Sequence, residues 1–560
     1  MHPGSRGGER HGVRVMKRLL WLALGLCVLL VALSRVPLGD AHWDAPIYLY
    51  QAKRFAETQH LVDIAHNAER IAAQVTGAWP ADESYSEAFW RSSRLGHIVV
   101  LGVLVETLGS TLAAIEAATW LFALALPLGL FAWCRVALLA SRLIEPGSVV
   151  MTGLGLSALL YVLSDVYGYL SGNLVSEVVS LGLSGAALWA LLASIRGGGA
   201  ALALLSGLLA FAGYTMRVES VWAWLAFMIA YLPYAGSGQA RARTLHRFVL
   251  AGGAALLGYL VYAFAFHPLA DPRHYLQFAA SLSQRSRGGV HAINLVFVVG
   301  GLLWVGASLV LRRITVSPVV RFGGLWLFVA GLPSWGVIAA GSEVQTRMLV
   351  GLVPPLLLLS AAGWTFALRD PRPRFLRAML LLGVLLLVVS RPAVYGWLVE
   401  QPGLWRIQRL GAAMFVPRYE RIDYTPREMA KISEQVFGGD GRPSTLISTP
   451  GVAQEYLNLI RFFGPAYPAA ARLALAGDPT NPGPCETKVD AAYEPVLFCS
   501  GFGDEAALRA ALAQRRVLHL RRPQEPTLAD AVERYRSDAF VLEEIPMRSD
   551  PKPQSEIRRK

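Results

Sequence analysis

The chain has 560 residues, of which 54% are hydrophobic and 16% charged, with a formal net charge of +13. This composition excludes an ordinary soluble protein, because apolar runs of roughly 20 residues recur along the chain and read as a polytopic helical membrane protein. The positive charge does not point to nucleic acid. The basic residues fall mostly in short hydrophilic breaks between apolar runs, the positive-inside pattern of membrane topology.

In chain order, residues 1–15 read as a cytoplasmic tail. Residues 16–36, MKRLLWLALGLCVLLVALSRV, form the first apolar run, with Arg14, Lys17 and Arg18 at its start. The run is longer than a usual signal-peptide core and no small-x-small cleavage site follows, so it is expected to be retained as span 1. A long polar loop, 37–94, comes next. SRLGHIVVLGVLVETLGS, 93–110, is too short for a confident crossing and is expected as an interfacial or re-entrant helix. Further spans are expected at about 112–139, 148–168, 174–194, 199–215, 220–235, 248–266, 293–311, 322–340, 348–367 and 378–396, giving about eleven in all.

The breaks support this order. With the N-terminus inside, the cytoplasmic breaks carry Arg135 and Arg142, Arg196, Arg241, Arg243 and Arg247, Arg312 and Arg313, and Arg369, Arg372, Arg374 and Arg377. The opposite breaks are long or nearly neutral, and long translocated loops escape the charge rule. An odd number of spans places the C-terminus outside. Residues 16–399 therefore form a transmembrane domain, with the N-terminus cytoplasmic and the external face expected to be periplasmic, in a bacterial inner membrane.

Residues 400–550 change character. STLIST (444–449), PVLFCSG (495–501), VLHLRRP (517–523) and AFVLEEIP (539–546) read as strands. VAQEYLNLIRFFG, DEAALRAALAQRR and TLADAVERYRSD read as helices between them. That alternation predicts a small external α/β domain. Residues 551–560 read as a disordered tail. Four cysteines are too few for a disulfide scaffold. Cys27 and Cys134 lie in apolar runs. Cys485 and Cys499 lie in the hydrophilic part, where they can pair if it faces an oxidising compartment or remain two free thiols.

Charged residues at membrane depth are expensive and usually serve a purpose. Asp40 and Asp44 follow span 1, Asp165 ends span 3, and Glu177 opens span 4. Arg217 and Glu219 join spans 5 and 6, and Arg347 precedes span 10. All fall on the external side of the predicted topology. A partly desolvated carboxylate at a membrane edge suits a general base. Arginines beside it suit bidentate binding of a phosphate and stabilisation of a departing one. Acid, arginines and sideways access from the bilayer together fit transfer from a polyprenyl-phosphate carrier.

Each residue also has a purely structural reading. Asp44 can cap the helix that Pro46 announces. Asp40 can be an ordinary interfacial acid and His42 a solvated loop histidine. Arg217 and Glu219 can be a hairpin pair, Arg347 a snorkelling anchor, Glu177 a first-turn acid favoured by the helix dipole, and Asp165 a loop acid. Tyr48, with Trp43, Tyr50 and Trp90, fits an interfacial aromatic belt as well as a sugar platform.

Several of these segments, in this order, resemble the GT-C class of polytopic glycosyltransferases, including the protein mannosyltransferase and lipid A aminoarabinose transferase relatives. DAPIYLYQAKRFAE (44–57) is similar to the family's acid–x–x–x–Tyr–x–x–x–Ala pattern. RLGHIVVLGVLVETLGS resembles its interfacial helix. GNLVSEVVSLGLSGAALWALL opens a span with Glu177. LLSGLLAFAGYTMRVESVW resembles a Gly-rich span ending in an Arg and an acid, and QTRMLVGLVPPLLLLSAAGW an Arg followed by a proline-interrupted span. The resemblance covers roughly residues 16–370. It implies a catalytic base in the first external loop, which carries over to Asp44. It also implies a polyprenyl-phosphate-linked sugar donor and a product made on the external face. Many relatives carry two adjacent acids at this point, whereas here they are separated, DAHWD. If Asp40 and Asp44 share one helical turn, they and His42 can bind a divalent cation; a helix starting near Asp44 breaks that geometry.

The expectation is a membrane glycosyltransferase of inverting type. Asp44 is its base, Arg217 and Arg347 hold the phosphate, and Glu219, Glu177, Asp165 and Tyr48 are further substrate contacts. The acceptor is a lipid, glycan or protein, membrane lipids surround the chain, and no nucleic acid is involved. A transporter or flippase is the alternative, but transporters place charges near the midplane and often show inverted repeats, neither of which is evident. A glycan ligase or polymerase shares the arginine-rich face but normally has its largest loop late in the chain. A binding module tethered by the spans would need far fewer of them.

Overall fold

The computed structural model describes residues 44–58, 94–146, 150–162, 174–217, 219–266, 317–339, 351–369, 426–438, 444–448, 454–465, 474–476, 485–489, 495–499, 516–524 and 531–545, with isolated positions within 18–25 and at 167 and 170. The spans expected at 293–311 and 378–396 and nearly all of 16–36 lie outside these residues, as do the helix expected at DEAALRAALAQRR and the tail. The chain divides into two compact units. One comprises Met1–Val36, Ser93–His97 and Ala118–Arg421; the other comprises Pro37–Ser92, Ile98–Ala117 and Ile422–Lys560.

Apolar helices build the first unit: α3 (Leu112–Ile144, from Ala118 onward), α4 (Met151–Val162), α5 (Ser176–Ile195), α6 (Ala200–Met216), α7 (Glu219–Tyr231), α8 (Gly238–Phe266), α9 (Pro318–Ala339) and α10 (Val353–Arg369). They follow α1 (Asp44–Thr58) and α2 (Leu95–Leu108) in the chain. Each of α3–α10 falls on a span expected from the sequence. Among the described residues, three segments, Leu112–Ile144, Ser176–Ile195 and Gly238–Tyr262, are long and apolar enough to cross a membrane; the others are shorter apolar helices. These make the chain an integral membrane protein. Helix α8 turns Val249, Leu256, Leu257, Leu260 and Val261 outward, an apolar face that soluble proteins avoid and lipid accepts. Helix α2, at 14 residues, is about 21 Å long, short of a bilayer core of about 30 Å.

Between lipid-facing helices the hydrophobic effect offers little, so close backbone approach and polar links do the packing. Helix α5 packs on α6, where Ser206 Oγ donates to the Ala187 carbonyl at 2.8 Å and accepts from Trp224 Nε1 of α7 at 3.0 Å. A side chain at Gly207 of α6 would overlap the Ala251 carbonyl of α8, and one at Gly153 of α4 would overlap the Ala361 carbonyl of α10. Helix α7 packs on α9 through Phe227, which meets Trp326 and Phe322 edge-on with ring centroids 5.2 and 5.9 Å apart. Pro354 and Pro355 stand in the first turn of α10, where the missing amides have no helical partner to lose. They start that helix and do not interrupt it.

The second unit holds α1, the part of α2 from Ile98 onward, helices α11 (Pro426–Phe437) and α12 (Gln454–Phe463), and seven strands: β1 (Ser444–Ser448), β2 (Ala474–Ala476), β3 (Cys485–Val489), β4 (Pro495–Cys499), β5 (Arg516–Arg521), β6 (Val532–Arg536) and β7 (Val541–Ile545). The strand order is β3-β4-β2-β1-β5-β7-β6. The β4-β2-β1-β5 centre is parallel, and β3, β7 and β6 join antiparallel. Helix α11 inserts Met429, Ile432 and Val436 into the core, a three-to-four residue spacing that sequence reading passed over. The β3–β4 register sets Cys485 opposite Cys499.

One expectation in this unit fails. TLADAVERYRSD was predicted helical, but Val532–Arg536 is an edge strand paired with β7. A turn closes the hairpin: Ser537 N–H donates to the Phe540 carbonyl at 2.8 Å, and Ser537 Oγ accepts from the amides of Ala539 and Phe540. Arg534 adds a 2.8 Å ion pair to Glu544 across the strands. Helix-like spacing on a mostly exposed segment gives way to a hydrogen-bonded ladder at a sheet edge.

The close approach of α6 and α8 makes a clear prediction. Gly207→Val is expected to destabilise the protein by about 1–3 kcal/mol through overpacking, read as a lower thermal midpoint by tryptophan fluorescence in detergent. Gly253→Val on the same pair of helices, where a Cβ meets nothing within 4 Å, is expected to leave the midpoint almost unchanged.

Candidate functional site

Helices α6 and α7 are separated by a two-residue break. Arg217 there is extended, with φ −163° and ψ 123°, and its amide donates to the Gly213 carbonyl at 2.8 Å. Ser220, in the first turn of α7, donates its hydroxyl to the Arg217 carbonyl at 2.8 Å. Gly213 is needed for this fit, because a Cβ there would lie 2.9 Å from Ser220 Oγ. The break thus projects the Arg217 side chain from between two apolar helices.

That side chain is buried and bridges two acids. Nη1 donates to Glu177 Oε1 at 2.5 Å and Nη2 to Glu219 Oε1 at 2.9 Å. Glu177 stands in the first turn of α5 and Glu219 in the first turn of α7, where aligned backbone dipoles favour negative charge. Ser176 Oγ lies 3.4 Å from the second Glu177 oxygen. Glu177 is 1% exposed, whereas the Glu219 side chain is 27% exposed. Three charges among apolar helices survive only because each is paired.

The first turn of α2 joins this group. His97 is fully buried, with Nε2 3.1 Å from the Leu174 carbonyl just before α5 and its ring edge-on to Phe122 at 5.5 Å. The charges of Glu177, Arg94 and Arg217 all act on it. A side chain on Gly96 would run into Thr215 in the last turn of α6, so the start of α2 and the end of α6 touch. His97 and the buried Arg94 were not singled out from the sequence, where this segment was read only as an apolar helix. The signal available was two polar residues, three apart, at its polar end.

The second unit carries Asp44 as the first residue of α1, with Pro46 in the same turn. Asp40 and His42 lie outside the described residues. Tyr48 is fully buried in α1. So is Lys53, whose Nζ donates to the carbonyls of Arg461, Phe462, Gly464 and Pro465 at 3.3, 3.0, 2.7 and 2.7 Å. Burial pushes the Lys53 ammonium down to about 8, while Glu57, 3.9 Å away, opposes the fall. It therefore stays mostly protonated at neutral pH.

Of the residues expected at the site, the structure brings Glu177, Arg217 and Glu219 into one network. Asp165 and Arg347 lie outside the described residues. Among the described residues no group of three or more His, Cys, Asp or Glu side chains is placed to hold a metal ion.

No protein-family model matches the chain, and no curated protein does either. Solved structures similar to it include two of one protein. ArnT from Cupriavidus metallidurans bound to undecaprenyl phosphate matches at 16% identity with a TM-score of 0.46, over 94% of this chain and 99% of that one. The apo state of the same protein matches at 15% identity with a TM-score of 0.45, over 93% and 98%. Likeness at this level assigns neither activity nor residues.

Removing Arg217 would take from the buried Glu177 its 2.5 Å ion pair. Arg217→Met is expected to cost about 3–5 kcal/mol, and Glu177→Gln with Arg217→Met less than the sum of the two single changes. Thermal unfolding of the four proteins gives the coupling; additive losses would mean that the pair is not coupled.

Proposed function

We propose that the protein is a membrane glycosyltransferase that moves a sugar from a polyprenyl-phosphate donor to an acceptor on the external face of a bacterial inner membrane. The observation that carries this reading is the buried Glu177–Arg217–Glu219 network at the ends of three apolar helices. Bundle packing alone does not call for a guanidinium and two carboxylates there. The sequence resemblance of residues 16–370 to GT-C enzymes points to the same chemistry.

In this proposal the Asp44 carboxylate takes the proton of the acceptor hydroxyl or amine. The acceptor atom attacks the anomeric carbon as the bond from that carbon to the phosphate oxygen breaks, which inverts the configuration. The electron pair leaves with the polyprenyl phosphate, and Arg217 and Arg347 meet its charge. Glu177 holds Arg217 in one orientation, so little reorganisation accompanies phosphate binding. Glu219, the more exposed acid, is the one a phosphate displaces. Asp165 lines the approach of the donor. Tyr48 is enclosed and supports α1. Residues 400–550 and the first external loop select the acceptor.

The assay is transfer of radiolabel from a panel of undecaprenyl-phosphate-linked sugars into membrane acceptors, with protein in nanodiscs. Asp44→Asn is expected to lower turnover by about 10²–10⁴ while insertion and thermal midpoint stay as in wild type. Full turnover by that variant would remove Asp44 as the base, and ion-gradient-driven uptake into vesicles would favour transport.

A further inference from the structure

The Lys53 environment is unusual for a lysine. An ammonium has three N–H donors, and here four backbone carbonyls crowd round it, those of Arg461, Phe462, Gly464 and Pro465. These carbonyls belong to the last turn of α12 and the two residues after it, where the helix dipole is negative; the Arg461 carbonyl also accepts from the Gly464 amide at 3.2 Å. Lys53 is therefore a C-terminal cap supplied by a segment about 400 residues away in sequence. Neighbouring contacts hold the same two helices. The Arg461 guanidinium lies 5.7 Å from the centre of the Tyr50 ring. Ala45, Tyr48, Leu49 and Ala52 of α1 are buried beside Lys53.

An apolar residue would bury this face at lower cost, since taking a lysine out of water is unfavourable. What the ammonium adds is direction. Apolar contact permits sliding and rotation of α1, whereas convergent hydrogen bonds on one helix end fix both. Asp44 lies nine residues before Lys53 on the same helix, so rotation of α1 changes where Asp44 stands.

We propose that Lys53 is a positioning residue: it clamps α1 to the end of α12, so the C-terminal sheet domain sets the placement of Asp44 and with it the rate of transfer. The positioning half rests on the reading of Asp44 as base; the clamp itself does not. The C-terminal domain is then a working part of the transferase and more than an acceptor-binding appendage.

The test uses the full chain in nanodiscs with Lys53→Met, which keeps length and removes charge and donors, and Lys53→Gln, which keeps two N–H donors. Amide hydrogen exchange is read over 45–57 and 454–465, with α5 and α6 as internal reference, and kcat and KM with the donor panel above. Lys53→Met is expected to speed exchange in both segments at least tenfold while the reference helices stay unchanged. It should lower kcat at least tenfold with donor KM within twofold, and Lys53→Gln should fall between. Wild-type exchange in both segments, or wild-type kcat, would overturn the proposal. If Asp44→Asn retains turnover while Lys53→Met loosens both helices, the clamp holds and the base assignment falls. If Asp44→Asn is inactive and Lys53→Met behaves as wild type, the base stands and the clamp falls.

Discussion

The bridge from Arg217 to Glu177 and Glu219 is the constraint on which the membrane part of this account depends. A guanidinium cannot shed its charge, and a carboxylate at 1% exposure cannot be solvated by water. Each therefore requires the other. That requirement sets the first turn of α5, the last turn of α6 and the first turn of α7 at one place. The small residues beside it follow from the same demand. Gly213 leaves room for Ser220, and Gly96 leaves room for Thr215. The bundle accepts the cost of burying charge, and what it gains is a fixed, preorganised arginine.

In the second unit, charge again does what apolar contact cannot. Lys53 closes the end of α12, and Arg521 and His519 meet Glu543 between β5 and β7, with Arg521 Nη2 2.5 Å from a Glu543 oxygen. Burial alone would push the Glu543 carboxyl up, but the hydrogen bonds and charge of Arg521, with help from His519, hold it below the usual carboxylate range. In both units a buried ion has a partner on another element, and that partner specifies register more tightly than a hydrophobic surface would.

How legible was this in the sequence? The apolar helices were legible, because length and hydropathy carry membrane signals directly: each of α3–α10 lies on an expected span. Four strands were legible from β-branched and apolar runs. Val532–Arg536 was not, because an exposed edge strand takes its structure from the neighbour it pairs with. Glu177, Arg217 and Glu219 could each be named from the sequence, since an ionised residue beside an apolar run is conspicuous. That they meet could not be read, because pairing across 40 residues depends on how α5 packs against α6. Lys53 was hidden for the opposite reason. It lies in a polar helix where lysine is ordinary, and its partners are backbone carbonyls that no side-chain pattern announces.

The central claim is that Arg217, held by its two acids, receives the phosphate of a lipid carrier. Binding of a polyprenyl phosphate to wild type and to Arg217→Lys in nanodiscs, followed by native mass spectrometry, tests it most directly. Lysine keeps the charge but cannot hold Glu177 and a phosphate in one plane at once. An affinity at least tenfold weaker in the variant, with the fold retained, agrees with the claim; equal affinity would contradict it.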